Sequence, residues 1–326
     1  MPLTVGLVGA GGMGREHLRQ LITLGARVLV WSRSKAGAGA LVAEFGGAAV
    51  DSFDELLDAA GVIDITTPTP THLELGRAAL DAGRHLICEK PLARTVDDAR
   101  ALADAARDAG RLLLPAHVVR WFPAYARAKD EVDAGALGSL QRLRFFRGGA
   151  YPASPWFGDA AQSGGVVMDL MIHDLDQARW LAGEVARVEA TRETGEVAGN
   201  PVESASVTLT HASGAISTVD GSWGAPDARF ATEFEVVGTA GARTYSSRAE
   251  TPGADVAESP YLAQLRDFLA AVEGDADGDA RGPVPAAGAA VVGVGVRVTP
   301  EDAVAAVGLA TAALESIETG RAVELG

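Results

Sequence analysis

The stretch LTVGLVGAGGMGREHLRQLITL, residues 3–24, decides the fold of the first part of the chain. Leu3 to Val8 is a short apolar run, the pattern of a buried strand. A helical run follows from Arg15 to Leu24. Between them Gly9-Ala10-Gly11-Gly12-Met13-Gly14 reads G-x-G-x-x-G, with a strand before it and a helix after it. In that setting the glycines have separate roles. Gly9 permits the tight turn, Gly11 lets a pyrophosphate approach the backbone, and Gly14 lets helix and strand pack closely. The helix N-terminus then faces the phosphates. The loop from Gly9 to Gly14, with Gly12 and Met13 inside it, is therefore expected to bind a dinucleotide. The plainer reading is a glycine turn without a ligand.

Outward from this stretch the chain alternates strand and helix. Arg27 to Trp31 is a second strand. In NAD-selective sites an Asp or Glu at this strand's end bonds the ribose 2′-hydroxyl. Here Ser32, Arg33, Ser34 and Lys35 stand there instead. With no carboxylate to repel a 2′-phosphate, and hydroxyl and cationic groups to hold one, NADP(H) is favoured over NAD(H). Ser52/Glu55 and Thr71/Glu74 are capping-box pairs that open helices. Val62 to Thr66 is a strand that ends at Thr67-Pro68, and His85 to Cys88 is the next, followed by Glu89-Lys90-Pro91. Thr95 starts a long helix to about Ala109, and Leu112 to Ala116 is a further strand. This alternation predicts a doubly wound parallel sheet with ligands at the carboxyl ends of its strands. Lys90 is then at the ligand edge, where an ammonium can bond a substrate oxygen or stabilise developing negative charge. A solvated surface lysine is the alternative.

Bulk composition narrows the possible functions. A chain of 326 residues has room for two domains with sizeable cores, and 48% hydrophobic with 22% charged residues is ordinary for a globular protein. A net charge of −15 disfavours nucleic acid and anionic membrane as partners. One cysteine, Cys88, excludes an intramolecular disulfide and a thiolate metal cluster. No segment reads as a signal peptide or a membrane span, so a cytoplasmic location is expected.

A second informative stretch is SGGVVMDLMIHDLD, Ser163 to Asp176. A glycine pair ends a loop, and one helix is expected to run on through Leu181. Asp169 and His173, four residues apart, share a face that continues to Asp176 and Trp180. Val167, Leu170, Met171, Leu175, Ala178 and Leu181 form the opposite, buried arc. A carboxylate beside an imidazole suits proton transfer. Alone, the pair reads more readily as a structural contact than as a proton-transfer site. Metal binding by Asp169, His173 and Asp176 is not expected, because no further ligand suggests itself.

Taken in order, G-x-G-x-x-G at Gly9 to Gly14, TP-x-x-x-H at Thr67 to His72, E-K-P at Glu89 to Pro91, R-x-x-P at Arg120 to Pro123, and S-G-G-x-x-x-D-x-x-x-H-D-x-D at Ser163 to Asp176 resemble the glucose–fructose oxidoreductase/inositol dehydrogenase (Gfo/Idh/MocA) family across essentially the whole chain. The resemblance implies an α/β Rossmann domain, residues 1–119, followed by an α+β domain, residues 120–326, with a large, mostly antiparallel open sheet. It implies a homodimer or homotetramer formed through that sheet, and hydride transfer between a nicotinamide and a secondary alcohol or ketone of a sugar, cyclitol or related polyol. The family's catalytic lysine, aspartate and histidine fall on Lys90, Asp169 and His173. Thr67, Pro68, His72, Glu89 and Lys90 fall in its cofactor-binding segments, although Thr69 stands where many members have Asn. In this setting the Asp169–His173 helix supplies proton handling and the first domain supplies hydride handling.

The residues of the second half support the sheet. Strand-like alternation appears around Leu143–Phe145 and at 185–193, 202–210, 215–223 and 230–237, with Ser213-Gly214 and Thr239-Ala240-Gly241 as turns. One face of such a sheet needs cover, which favours an oligomer. Helices are expected at 123–133, 261–272 and 300–319. His117, Arg120, Trp156 and Asp176 are candidate substrate contacts. His17, His85 and His211 read as scaffold or surface. Two rivals stay open: a glycoside hydrolase that uses NAD for transient oxidation, and a non-catalytic dinucleotide-binding sensor. Intact Lys90, Asp169 and His173 argue against the sensor.

Overall fold

A computed structural model describes residues 3–249, 258–276 and 296–326. The stretch from Asp275 to Val296, for which the sequence suggests no function, lies from 277 to 295 outside the described residues. The chain forms two compact units: residues 1–121 with the described part of 257–304, and residues 122–256 with 305–326.

In the first unit the strands are β1 (Thr4–Val8), β2 (Arg27–Trp31), β3 (Ala48–Ala49), β4 (Val62–Ile65), β5 (His85–Glu89) and β6 (Leu113–Ala116). All neighbours pair in parallel, in the order β3-β2-β1-β4-β5-β6. The helices between them are α1 (Gly12–Thr23), α2 (Lys35–Phe45), α3 (Phe53–Ala59), α4 (His72–Asp81) and α5 (Val96–Ala109). The strand order reverses at β1, between β2 and β4, and this switch point opens the crevice used by ligands in such sheets. β4 and β6 are buried at every position, as expected for strands with helices on both faces. Ser52 and Thr95 cap α3 and α5 by accepting from the Glu55 and Asp98 amides at 3.1 Å. The expected cap at Thr71 does not form. A short 3-10 turn, Thr69–Thr71, precedes α4, and the Thr71 hydroxyl donates to the Pro68 carbonyl at 2.8 Å instead.

The expected domain division is corrected in one respect. Helix α10 (Pro260–Ala276) does not belong with the second domain. Its Leu265, Phe268, Leu269 and Val272 complete the core built by Val5, Leu18, Leu21, Val28 and Trp121. Trp121 meets Phe268 edge-on at 5.4 Å, and its indole N–H donates to Asp267 at 2.8 Å. Apolar burial, not chain order, returns this helix to the first unit.

The second unit holds α6 (Pro123–Asp133), β7 (Leu140–Ala150), α7 (Ala160–Ser163), α8 (Gly165–Asp169), α9 (Ile172–Ala182), β8 (Val185–Val197), β9 (Asn200–His211), β10 (Ile216–Gly224), β11 (Ala231–Gly238), β12 (Ala242–Ser246), the end of α11 (Pro300–Thr319) and β13 (Val323–Glu324). The sheet runs β12-β11-β7-β10-β9-β8-β13 and is antiparallel except for β7 beside β10. Leu143, Phe145, Val207, Leu209, Val219 and Phe234 are buried on one face. On the other face Arg142, Arg144 and Asp220 are exposed, and Ser206, Thr208 and Thr218 are half-buried. An antiparallel sheet can leave such a polar face in water. The same face also carries Ile216, 46% exposed, and the half-buried Phe146, so it is mixed in character.

The single helix expected over residues 163–181 is corrected to two. The Met171 amide bonds to the Val166 carbonyl, five residues back, and the Asp174 amide to the Met171 carbonyl, three back. This slip in the ladder separates α8 from α9 and leaves Asp174 facing inward, where Arg147 of β7 grips its carboxylate with two bonds of 2.8 and 3.0 Å. Both side chains are almost fully buried. Removing one member of a buried ion pair leaves the other charge without its partner, at a cost of about 3–5 kcal/mol. Arg147→Met is expected to lower the unfolding free energy by that amount in urea denaturation at neutral pH. A loss below about 1 kcal/mol, the size of an exposed pair, would count against a dry Asp174.

Candidate active site

The G-x-G-x-x-G loop crosses the sheet's carboxyl edge as its sequence suggests. Gly9 has φ +116°, which favours glycine, and its amide donates to the Trp31 carbonyl at 2.9 Å. A Cβ on Gly14 would lie 2.2 Å from the Gly9 carbonyl oxygen, so only glycine allows α1 to start so close to β1. A Cβ on Gly11 would meet no atom within 4 Å, which leaves that side of the loop open to a ligand.

Beside the loop is a cavity of about 500 Å³, lined by the ends of β1, β2 and β4. The size is that of an ordinary small-ligand pocket. Of the expected cofactor contacts, Gly9, Gly11, Ser32, Arg33, Thr67 and Pro68 line it. Gly12, Met13, Gly14, His72, Glu89 and Lys90 are not in this lining. Ala10, Trp31, Ser34, Gly37, Thr66, Thr71, Glu74 and Leu75 also line it, and the motifs do not single them out as contacts. All lie within or close to the motifs in sequence, and Ser34 is among the hydroxyls expected near a 2′-phosphate. The open loop, the helix N-terminus and the absence of a carboxylate on β2's end fit a nicotinamide dinucleotide.

The cationic segment after β2 is divided by its contacts. Ser34 caps α2, accepting from the Gly37 amide at 3.1 Å, and the Ser34 amide donates to Ser32 Oγ at 3.3 Å. Lys35 is exposed and pairs with Asp51 at 2.7 Å. Arg33 is exposed and, among the described residues, forms no ion pair. Glu74, from the first turn of α4, is the carboxylate in the lining.

Lys90 follows directly on β5, at the carboxyl edge where the dinucleotide loop also lies, and the Lys90–Pro91 peptide is cis. The peptides around it are tied on both sides. The Glu89 carboxylate accepts from the Lys90 amide at 3.0 Å. His72 is buried, with Nδ1 2.9 Å from the Pro91 carbonyl and Nε2 2.8 Å from the Thr67 carbonyl. Burial holds this ring below its ordinary value, against the pull of the two carbonyls. His72 thus lies between the segments after β4 and β5, with a backbone carbonyl beside each ring nitrogen; a neutral ring has one N–H and donates to one of the two.

Behind Glu89 stands His17, fully buried on α1. Its Nδ1 is 2.9 and 3.1 Å from the Asp64 oxygens, and its Nε2 is 3.2 Å from Glu89 Oε1. Burial disfavours the charged ring, but Asp64 and then Glu89 outweigh it and lift His17 to about 10. Burial likewise opposes the charge on Glu89, and His17 holds that carboxyl below its ordinary value. His17 is thus more than the scaffold or surface residue that its sequence setting suggests. Two sequence signals point further: His17 lies one turn after Gly14, on the buried face of α1, and Asp64 is a charge inside the apolar strand VIDI.

Arg120, a candidate substrate contact by sequence, is corrected. It is 1% exposed, pairs with Asp302 at 2.9 Å and donates to the Arg297 carbonyl at 2.6 Å, all within the first unit. A guanidinium so buried and paired is structural. His117 is equally buried.

In the second unit, Asp169 ends α8 and His173 lies in the first turn of α9, and both are half-buried. Asp176, expected on their open face, is 2% exposed and so belongs to the packed side. Glu203 of β9 accepts from the Val166 amide at the start of α8, and burial raises its carboxyl above the ordinary value. Trp156 lies in a 3-10 turn, half-buried, against Phe157 at 4.1 Å, and Phe157 meets Trp223 edge-on at 5.9 Å.

Among the described residues no cluster of three metal-ligating side chains occurs, and no helix is long and apolar enough to cross a membrane.

The His17 value sets a pH dependence. Its folded value lies above its ordinary 6.5, so its contribution to stability is complete below about pH 6.5 and is lost as pH rises toward 10. The melting temperature is expected to fall across that window, and His17→Gln is expected to flatten the dependence up to pH 9. The buried Cys88 thiol, raised well above 9.0, adds a further loss only from there upward. An equal slope in the variant, followed by calorimetry, would contradict a charged His17.

Two family profiles match the chain: an oxidoreductase family with an NAD-binding Rossmann fold over residues 3–117, and the GFO/IDH/MocA C-terminal domain over residues 125–243. Levoglucosan dehydrogenase from Pseudarthrobacter phenanthrenivorans is 31% identical, over 88% of this chain and 84% of that protein. D-xylose 1-dehydrogenase (NADP(+)) 2 from Haloferax volcanii is 30% identical, over 98% and 99%. The crystal structure of GenD2 from gentamicin A biosynthesis, in complex with NAD, superposes with a TM-score of 0.83 at 28% identity, covering 100% of this chain and 97% of that one.

Proposed function

This chain belongs to the GFO/IDH/MocA oxidoreductase family, and we propose that it interconverts a secondary alcohol and a ketone on a sugar, cyclitol or related polyol, with NADP(H) preferred over NAD(H). The observation that carries this reading is Lys90 at the carboxyl end of β5, on the sheet edge that also holds the glycine loop and its cavity. The names of the relatives, levoglucosan and D-xylose dehydrogenases, support the substrate class.

When bound, the nicotinamide exchanges a hydride with the substrate carbon. The chain's own groups handle the proton and the charge. Lys90 donates a hydrogen bond to the substrate oxygen and stabilises alkoxide character as the C–H bond breaks. His173 takes the hydroxyl proton in oxidation and returns it in reduction. Asp169, at the end of α8, orients the substrate hydroxyl or the imidazole. Trp156 is a candidate for packing on the C–H face of a sugar ring.

Lys90→Ala and His173→Ala are each expected to lower kcat by about 100-fold or more while leaving the cofactor Kd within about twofold. The assay is reduced-nicotinamide absorbance over a panel of sugars and inositols with both cofactors. Wild-type-like turnover in either variant would remove that residue from the chemistry.

The cofactor preference rests on Arg33, the cation that lines the cavity. A charge-assisted bond to the 2′-phosphate is worth about 1.5–3 kcal/mol. Arg33→Ala is therefore expected to weaken NADP+ binding by at least about tenfold and to leave NAD+ binding nearly unchanged, by fluorescence titration. Equal weakening of both would refute the preference.

A further inference from the structure

The family reading leaves unused one group of buried charges in the first unit. His17 comes from α1, Asp64 from β4 and Glu89 from β5. Asp64 pairs in register with Ile87, so Glu89, two residues further along β5, presents its side chain to the same face of the sheet. That is the face on which α1 packs His17, Leu18 and Leu21. The imidazole fills the space between the carboxylates, with Asp64 on Nδ1 and Glu89 on Nε2.

Stability alone does not call for this arrangement. Replacing a buried charged group by apolar side chains of similar volume is commonly neutral or stabilising. What charged groups provide, and methyl groups do not, is a fixed place for the opposite charge. One oxygen of Glu89 lies 3.2 Å from His17 Nε2, an ion-pair contact without hydrogen-bond alignment, and the other accepts the Lys90 amide. The Pro91 carbonyl that follows lies 2.9 Å from Nδ1 of the buried His72. The backbone that carries the Lys90 side chain is thus fixed before and after it.

We infer that His17 is a positioning residue for Lys90, acting through Glu89 to fix the peptide from which the lysine side chain projects. The inference rests on the reading that Lys90 acts in the reaction. Because His17 lies one turn beyond Gly14 on α1, it also ties the helix of the dinucleotide loop to the strand end that carries the lysine.

The test is a double-mutant cycle of His17→Gln and Lys90→Ala, assayed with NADP+ and the polyol of fastest turnover in the panel. Alone, His17→Gln is expected to lower kcat by about 10- to 100-fold, as small misplacements of reacting groups do, with NADP+ affinity within about twofold. In the Lys90→Ala background it is expected to lower kcat no further. Loss by the same factor in both backgrounds indicates a general structural defect and overturns the inference, and so does unchanged kcat in the single variant. Wild-type-like turnover of Lys90→Ala alone would instead overturn the reading of Lys90, and the positioning role with it.

A second readout needs no substrate. The Lys90 amide is expected to exchange its hydrogen at least about tenfold faster in His17→Gln than in the wild type, by hydrogen-exchange NMR. Unchanged exchange at Lys90 overturns the inference. Should His17→Gln not fold, Glu89→Gln keeps the volume and removes the charge that His17 holds, and the same cycle and exchange measurement apply to it.

Discussion

A charge inside a protein must be met by another charge or it will not stay charged. The first unit obeys this at one point on which much else depends. His17, Asp64 and Glu89 bring one positive and two negative groups together under the carboxyl edge of the sheet. Three elements, α1, β4 and β5, each contribute one group. Sliding any of them along its axis would separate charges that water does not reach. The clip therefore sets the register of the helix that follows the glycine loop against the strand that ends at Lys90. His72 lies, without a charge pair, between the backbone after β4 and that after β5.

The second unit contains a parallel case. Arg147 on β7 and Asp174 on α9 form a buried two-bond pair. Asp174 is the residue after His173, so the pair sets the rotation of α9 where the imidazole is carried. The slip between α8 and α9 belongs to the same arrangement. Helical propensity alone would have continued one ladder through Met171. Buried charge pairs contribute little net stability and much specificity of position. In both units they adjoin a residue assigned to the chemistry.

The cofactor edge solves a different electrostatic problem. The chain carries a net charge of −15, yet its Rossmann crevice must hold phosphates. It does so with backbone rather than with a basic surface. The helix N-terminus and the glycine loop present amide dipoles, and no carboxylate closes the end of β2. Of the cations after β2, Arg33 lines the cavity, and Lys35 pairs with Asp51 at the surface.

Much of this is legible in the sequence because it is local or periodic. The parallel sheet follows from alternating apolar runs and helices. The glycine loop follows from residues whose conformation and packing admit little else, and the antiparallel sheet from period-two alternation. The caps at Ser52 and Thr95 follow from spacing of three. The rest depends on residues distant in the chain. No local rule places α10 in the first core, because only its apolar face and the space beside Trp121 determine it. No local rule shows that Arg120 is held by Asp302, or that Lys35 pairs with Asp51. No local rule shows that Asp174 meets Arg147, which lies in another element, or that Asp176 is buried. The sequence by itself determined the family pattern, the two sheets and the residue types available for hydride and proton transfer. The tertiary structure decided which charges meet inside, because a buried charge is placed by partners from distant segments rather than by its neighbours in the chain.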